Sequence, residues 1–146
     1  MKTSNISAPD LSVENPRSPM QKMENLIWIP RMVDKARAFK ADCLGDFMYP
    51  CPMDQVFLDF LELEGDAFAD LAHSKTDDAM QDWLKGHLQN TPVDQQEKVN
   101  QALLDKQPDT EEKWKKFKRI RDEIDPSRAD ITTWAALIEL EEGQQS

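Results

Sequence analysis

The chain has 146 residues, of which 32% are charged and 39% hydrophobic, and its formal net charge at pH 7 is −10. This length is enough for one domain with a hydrophobic core, whereas the acidic charge argues against general nucleic-acid binding, which needs a basic surface. Only four glycines are present and runs of β-branched residues are missing, so the composition disfavours sheets.

Residues 1–16 are rich in Ser, Asn, Pro and Asp and are predicted to form an extended N-terminal arm. Ser18-Pro19 has the form of a helix start, with Ser18 as N-cap and proline in the first turn. A short helix is therefore predicted to follow, with Met23 facing inward, until Trp28-Ile29-Pro30 interrupts it.

A second helix is predicted from Pro30 to about Gly45, because Met32, Ala36 and Phe39 recur at helical spacing and glycine commonly ends a helix. The next helix, near residues 52–63, is apolar on nearly all sides. Such a helix is typical of a protein interior, so we expect it to be the buried centre of the fold.

The beginning of this apolar helix has a distinctive sequence. Pro52 in the first turn places Cys51 at or near the N-cap and Asp54 near the third position, where a carboxylate meets free backbone amides.

The rest of the chain shows further helix starts and stops. A short helix is predicted to end at about His73, and later helices begin at Thr76, at Thr91-Pro92, at Asp109, and at Thr132 or Asp130, the last one ending at Gly143. The sequence thus predicts an all-α fold, a single compact domain of about seven or eight short helices over residues 17–143, with a frayed tail at 144–146. Its expected core includes Trp28, Met32, Phe57, Phe60, Leu61, Trp83, Trp114 and Trp134.

Opposite charges are concentrated in two segments. Residues 17–40 hold six basic and two acidic residues, a net charge of +4, whereas residues 54–82 hold nine acidic residues and Lys75, a net charge of −8. We expect the two segments to face each other and to neutralise each other in part. The basic run Lys113–Arg121 is balanced by six acids between Asp109 and Asp125, which predicts a helix face with many salt bridges.

The compartment follows from what the sequence lacks. The opening stretch MKTSNISAPDLS has no apolar core of the signal-peptide kind, and no apolar run approaches the roughly 18 residues of a membrane span. Cys43 and Cys51 do not form a disulfide or zinc pattern. We therefore expect a cytoplasmic protein without membrane insertion, and we predict neither a metal nor a cofactor.

Arg31 and Lys35 form the first candidate site. They are like charges one turn apart, an arrangement unfavourable by a few tenths of a kcal/mol in isolation. Either Asp34 and a distant carboxylate, for which Asp54 is the candidate, compensate them as a structural ion-pair cluster, or a bound anion does. We prefer the structural interpretation because ion-pair networks commonly resemble sites.

Cys51 is the second candidate site. A thiol at a helix N-terminus can have a lowered pKa and become reactive, and a Cys-Pro pair also occurs at haem ligands. The alternative is a small buried side chain, which we prefer because neither His73 nor His87 is placed as a general base. Histidines near helix ends more often contact the last carbonyls than bind a metal.

Several stretches resemble a small bacterial family of domains of unknown function. They are Pro16-Arg17-Ser18-Pro19, Trp28-Ile29-Pro30-Arg31-Met32, Asp34-Lys35-Ala36-Arg37-Ala38, Gly45, Tyr49, Cys51-Pro52-Met53-Asp54-Gln55, Phe57-Leu58, Pro126-Ser127-Arg128-Ala129-Asp130-Ile131, Thr133-Trp134 and Leu140-Glu141-Glu142-Gly143. The resemblance covers Asp10 to Gly143 and departs from the family pattern at Asp46-Phe47 and Pro50. It implies no activity, but it groups seven residues into one candidate binding cluster: Arg31, Asp34, Lys35, Arg37, Tyr49, Cys51 and Asp54.

Three classes of function remain open. The preferred one is a non-enzymatic protein-interaction or complex-accessory module whose partner is another protein, which an exposed apolar patch would favour. The second is a domain that binds a small molecule or an anion through the Arg31/Lys35 face, which a pocket lined by these residues with Tyr49 and Asp54 would favour. The third is a thiol-dependent enzyme, which a solvent-reachable Cys51 with a basic neighbour would favour.

Overall fold

The computed structural model describes residues 7–143, and over this range the regular structure consists of seven helices and one very short hairpin, which confirms the predicted all-α class. The elements are β1 (Lys22–Met23), β2 (Leu26–Ile27), α1 (Ile29–Lys40), α2 (Pro52–Leu61), α3 (Gly65–Ser74), α4 (Asp77–His87), α5 (Val93–Leu104), α6 (Glu111–Ile124) and α7 (Trp134–Glu142). The contacts divide the chain into an N-terminal unit, Met1–Val99, and a C-terminal unit, Asn100–Ser146. The expected tail at 144–146 lies outside the described residues, as do residues 1–6 of the expected arm.

The segment before α1 is a hairpin, so the short helix predicted there is wrong. β1 and β2 pair antiparallel with Met23 opposite Leu26, and Glu24 in the connecting turn has a φ of 55°. The Ser18 hydroxyl accepts a hydrogen bond from the backbone N–H of Met20 at 3.0 Å, which closes a turn. Ser-Pro begins turns as readily as helices, and no local signal separated the two outcomes.

α1 is the most completely buried helix of the N-terminal unit. Ten of its twelve residues are buried, including three cationic side chains. α2 buries Phe57, Leu58 and Leu61 as expected for the region near 52–63, but it leaves Gln55 and Asp59 exposed. The sequence placed the buried centre near 52–63 and gave no sign of the burial of α1, because a sequence pattern does not show which charges find partners inside the protein.

The N-terminal arm docks on the turn that follows α1. α1 ends at Lys40 rather than near Gly45, and the backbone N–H of Leu11 donates to the carbonyl of Cys43 at 2.9 Å. Gly45 has a φ of +61°, and a Cβ there would lie 2.7 Å from the carbonyl oxygen of Leu11. Glycine at this position therefore permits both the left-handed backbone and the close approach of the arm.

Oppositely charged segments meet in the N-terminal unit, as predicted. Four ion pairs join residues 17–40 to residues 54–82: Arg17–Asp77, Lys35–Asp54, Arg37–Asp77 and Lys40–Asp70. Helix caps in this unit also agree with the sequence. Cys51 caps α2, and the Thr76 hydroxyl accepts from the backbone N–H of Ala79 at the start of α4.

The C-terminal unit is built on α6 and α7. Phe117, Ile131 and Leu137 form its buried core, and the ring of Phe117 meets those of Trp114 and Trp134 edge-on at centroid distances of 5.5 and 5.1 Å. Such edge-to-face contacts add to the stabilisation that area burial provides.

Two cap assignments in the C-terminal unit are corrected. Thr110 caps α6, one residue beyond the predicted Asp109, and Thr133 caps α7 in place of Thr132 or Asp130. Neighbouring residues of similar capping ability compete, so a sequence locates a cap only to within a residue or two. Gly143 ends α7 at a φ of +67°, as predicted.

The predicted core is partly correct. Trp28, Met32, Phe57 and Leu61 are buried, but four other predicted members are only half-buried: Phe60, Trp83, Trp114 and Trp134. Large aromatic side chains often lie at the edge of a core rather than inside it.

Candidate functional site

Asp54 is the centre of a buried polar cluster where α1 and α2 meet. Its side chain has no solvent exposure. Oδ2 accepts from Lys35 Nζ at 2.8 Å and from the backbone N–H of Cys51 at 2.9 Å. Oδ1 accepts from the indole Nε1–H of Trp28 at 2.8 Å. Three donors compensate the loss of water around this carboxylate, which is the condition for burying a charge.

Lys35 and Cys51 touch within this cluster. Lys35 Nζ lies 3.3 Å from Cys51 Sγ, and the same sulfur accepts from the backbone N–H of Asp54 at 3.4 Å. The side chain of Lys35 is 4% exposed. The side chains of Lys35 and Cys51 are therefore held in contact through one residue, Asp54, whose carboxylate binds the amine and whose backbone N–H binds the sulfur.

The thiol of Cys51 is not activated by its position at the helix N-terminus. Burial raises its pKa above the ordinary value and the charge of Asp54 raises it further, while Lys35 and the helix amide offset only part of this. At neutral pH the thiol form predominates, whereas the thiolate is the nucleophile. The arrangement supports a structural cap more than a catalytic cysteine.

A second network surrounds Arg17. Its guanidinium binds Asp34 at 2.9 Å and Asp77 at 2.9 Å, and Arg37 binds the other oxygen of Asp77 at 3.0 Å. Arg37 also donates to the carbonyl of Ala72 at 2.9 Å. Burial opposes the ionisation of Asp77, but the two arginines outweigh it and hold the pKa of this carboxyl below its ordinary value.

Arg31 lies against aromatic rings. It is 3% exposed, its guanidinium carbon lies 5.3 Å from the ring centroid of Trp28 and 5.7 Å from that of Phe47, and it donates to the carbonyl of Arg17 at 3.2 Å. Stacking on rings suits the planar, weakly hydrated guanidinium. This side chain is directed into the protein.

Tyr49 contacts α3 rather than the other predicted site residues. Its hydroxyl donates to the carbonyl of Gly65 at 2.7 Å, at the start of α3, and its ring lies 5.3 Å from that of Phe39. Burial raises the pKa of this phenol far above its ordinary range. The hydroxyl is thus a neutral donor that holds α3 in place.

The seven predicted site residues therefore separate into groups. Lys35, Cys51 and Asp54 contact one another directly. Asp34 and Arg37 belong instead to the second network, which Arg17 and Asp77 complete. The sequence did not predict Arg17 and Asp77 as members of the second network, or Trp28 as a partner of Asp54. The only signal that pointed toward Asp77 was the opposite charge of segments 17–40 and 54–82.

His87 contacts the end of α2. Its Nε2 lies 2.8 Å from the carbonyl oxygen of Leu61, and its ring stacks on Trp83 at 4.7 Å. A pocket of about 360 Å³ adjoins it, lined by Phe60, Leu61, Glu62, His87, Leu88 and Thr91. Among residues 7–143, no group of three or more metal-binding side chains converges to hold an ion.

A wider groove runs along α6 in the C-terminal unit. Its volume is about 610 Å³, its accessible lining is mainly apolar, and it is bordered by Glu111, Trp114, Lys118, Arg121, Ala129 and Thr132. Arg121 is nearly buried and donates to the carbonyl of Ile131 at 2.9 Å, which fixes the wall formed by the segment before α7. Lys118 is exposed, and its Nζ lies 5.9 Å from the Trp114 ring centroid.

Only part of α6 has the predicted salt bridges. Lys113 and Lys115 reach Asp109 and Glu111, at 3.0 and 3.7 Å, and Arg121 reaches the neighbouring Asp122. The remaining cations, Lys116, Lys118 and Arg119, have no carboxylate of residues 7–143 within ion-pair distance. The middle of α6 is thus a basic surface on an acidic chain.

The comparisons with known proteins agree with the resemblance seen in the sequence. A family model described as "Domain of unknown function (DUF5069)" matches residues 13–144, and no curated protein matches the chain. Across residues 7–143, none of the helices combines the length and the apolar composition that crossing a membrane requires.

Proposed function

The chain belongs to the DUF5069 family, and we propose that it is a non-enzymatic protein-interaction module whose groove along α6 takes an acidic segment of a partner protein. The observation that carries this proposal is an apolar lining beside Lys118, a cation with no carboxylate partner in the described part of the chain. Buried aromatic and arginine side chains are the common anchors of protein interfaces.

The groove offers two kinds of contact side by side. Trp114 presents a half-buried aromatic surface that a partner's apolar side chain can cover. Lys118, one turn further along α6, presents a solvated ammonium to a carboxylate. A segment with an apolar residue next to acidic residues would engage both at once.

Charge selects the partner. The whole chain carries −10, so an acidic partner is repelled by most of its surface, and the middle of α6 is an exception. Complementary charge at this place would direct the partner to the groove and favour acidic segments over basic ones.

The two competing functions have less support. The pKa of the Cys51 thiol is raised and its sulfur lies among Lys35 and the amides of α2, which does not favour a thiol-dependent enzyme. Lys35 and Arg37 already have carboxylate partners within the protein, which does not favour an anion site on α1.

A peptide-binding experiment on the full chain tests the proposal. The probes are fluorescent peptides that carry Glu and Asp around one Leu or Trp, the same peptides with that residue changed to Ala, and peptides with Lys in place of the acids. We expect the first set to bind best, and we expect the binding to weaken as salt is raised, because salt screens exposed charges.

Variants on one helix provide the matched comparison. Lys118→Glu should weaken the acidic peptides by on the order of 1 kcal/mol or more, about fivefold, because it turns an attraction into a repulsion. Lys116→Glu makes the same change in charge on α6 outside the groove lining and should have a smaller effect. Equal effects of the two variants, or equal binding of acidic and basic peptides, would contradict the proposal.

A further inference from the structure

We propose that Lys35 and Cys51 form an oxidant-dependent covalent crosslink between Nζ and Sγ. The two atoms lie 3.3 Å apart in the folded protein. This inference is independent of the groove on α6, because it concerns the contact between α1 and the N-cap of α2.

The geometry brings two reactive groups together and keeps them there. The ammonium of Lys35 donates to the carboxylate of Asp54 at 2.8 Å. The backbone N–H of Asp54 donates to Sγ of Cys51 at 3.4 Å. The Lys35 side chain is almost fully buried, so the ammonium cannot exchange this position for one in water. Cys51 is only partly buried, and exposure favours the oxidation of a thiol.

A peroxide is the oxidant that the reaction needs. One hydrogen peroxide transfers an oxygen atom to the Cys51 thiol, which becomes a sulfenic acid while one water is released. Lys35 then loses a proton to solvent, its amine attacks the sulfur, and the S–O bond breaks as the hydroxyl leaves with a second amine proton as water. One thiol, one ammonium and one peroxide thus give an N–S bond, two waters and one proton.

A second peroxide extends the same chemistry. It inserts one oxygen between nitrogen and sulfur and is reduced to one further water, giving an N–O–S bridge. Sulfenic acids are known to condense with a neighbouring nitrogen or thiol, and here the neighbouring nitrogen is an amine held in contact. Excess dithiol reverses both forms. At the N–S bridge it attacks the sulfur and releases the amine, and at the N–O–S bridge the same attack releases a hydroxylamine, which a further dithiol reduces to the amine and water.

The crosslink would change the electrostatics of the cluster. It removes the ammonium charge of Lys35, so Asp54 loses its cationic partner and is left with neutral donors, among them the indole of Trp28 and the backbone N–H of Cys51. It also ties α1 to the start of α2 by a covalent bond.

Mass spectrometry of the peroxide-treated folded chain tests the proposal. We expect an intact mass lower by two hydrogen atoms, or lower by two hydrogens and higher by one oxygen, and we expect dithiothreitol to restore the original mass. Peptide mapping without reductant should show that trypsin no longer cleaves after Lys35 and that the Lys35 and Cys51 peptides are joined. Cys43→Ser should leave this result unchanged.

Controls separate the crosslink from other oxidation products. Lys35→Arg keeps the charge beside Asp54 but has no amine, so the mass loss should disappear, and urea-unfolded protein should not form the link. The proposal is overturned if Cys51 is only oxidised to a sulfinic acid or stays reduced while Lys35 remains cleavable. It is also overturned if the mass loss occurs with Lys35 cleavable, because the sulfur would then have bonded to a group other than Lys35, such as the backbone nitrogen of Asp54 or the thiol of Cys43.

Discussion

Asp54 shows what one buried carboxylate does at the residue scale. It closes the N-terminus of α2, binds the ammonium of Lys35 and accepts from the indole of Trp28. A buried ion pair is weak evidence for stability, since desolvation costs as much as attraction returns, but the removal of one partner leaves a buried charge uncompensated. The role of Asp54 is therefore to compensate the buried charge of Lys35.

Asp54→Asn should destabilise the protein strongly. The substitution keeps the shape but removes the charge that compensates Lys35, so the free energy of unfolding should fall by about 3–5 kcal/mol. Urea unfolding followed by circular dichroism measures it.

The more exposed pair between Lys40 and Asp70 provides the control, because its side chains are 35% and 67% exposed. Asp70→Asn should change the free energy of unfolding by no more than about 1 kcal/mol. If Asp54→Asn lowers the free energy of unfolding as little as Asp70→Asn does, the buried cluster does not need the charge of Asp54.

Sequence reasoning located some of these residues and not others. The pair between Lys35 and Asp54 was expected, because like charges one turn apart require a compensating acid and Asp54 stood at a helix start. The partner of Asp34 was not expected, because Arg17 and Asp77 are far apart in the chain and many acids competed for each cation. Local rules identify which charges need partners, and only the packing decides which ones they receive.

At the scale of elements, α2 has a buried and a half-buried side. Phe57 is fully buried, whereas Phe60 is half-buried and lines the pocket beside His87. The sequence alone predicts the same importance for both.

Phe57→Ala should cost more than Phe60→Ala. The first change leaves a cavity among buried neighbours and should lower the free energy of unfolding by about 3–5 kcal/mol. The second removes a side chain that already meets solvent and should cost clearly less. Parallel denaturant titrations of the two variants decide the order, and a greater loss at Phe60 would contradict the burial of α2 described above.

Two glycines should respond in opposite directions to alanine. Gly45→Ala forces a side chain into a left-handed backbone and against the carbonyl of Leu11, so it should destabilise the docking of residues 7–16 and lower the melting temperature. Gly86 lies inside α4, where a Cβ would meet no neighbouring atom within 4 Å, and Gly86→Ala should stabilise by roughly 0.5–1 kcal/mol, the helix-propensity difference.

Thermal melts of both glycine variants measure these effects. Limited proteolysis shows whether Gly45→Ala loosens residues 7–16 in particular. Stabilisation by Gly45→Ala would show that the arm does not approach this turn as closely as the structure indicates.

Helix boundaries were predictable where a local signal existed and not where tertiary contacts decided them. Cys51, Thr76 and Gly143 mark helix ends through their own side chains or backbone preferences, and all three were found. The hairpin of β1 and β2 and the burial of α1 depend on residues far along the chain. A pattern of seven or eight helices was therefore recognisable, while the identity of the most buried helix was not.

At the scale of the whole molecule, acid should weaken the connection between segments 17–40 and 54–82. Burial opposes the ionisation of Asp77, but its two arginines outweigh burial, so the pKa of this carboxyl is lowered in the folded state. Its contribution to stability is therefore complete above the ordinary value of 3.8 and is lost as the pH falls below that toward the lowered pKa.

Asp77→Asn should lower the free energy of unfolding at pH 7, and the gap between this variant and the native protein should narrow below about pH 4. Urea midpoints between about pH 7 and pH 2.5 test this, and Asp78→Asn serves as a neighbouring control. A gap that stays constant through this range would mean that Asp77 titrates alike in the folded and unfolded protein.

The ion pairs also limit how early the chain can complete its folding during synthesis. Arg17 and Asp77 are 60 residues apart, and at 5–20 residues per second their synthesis is separated by about 3–12 seconds. During that interval the cations of α1 have been synthesised while Asp77 does not yet exist, so part of the helix that later becomes buried has no ion-pair partner. A released chain that ends before residue 77 should therefore remain open at α1 and accessible to proteases.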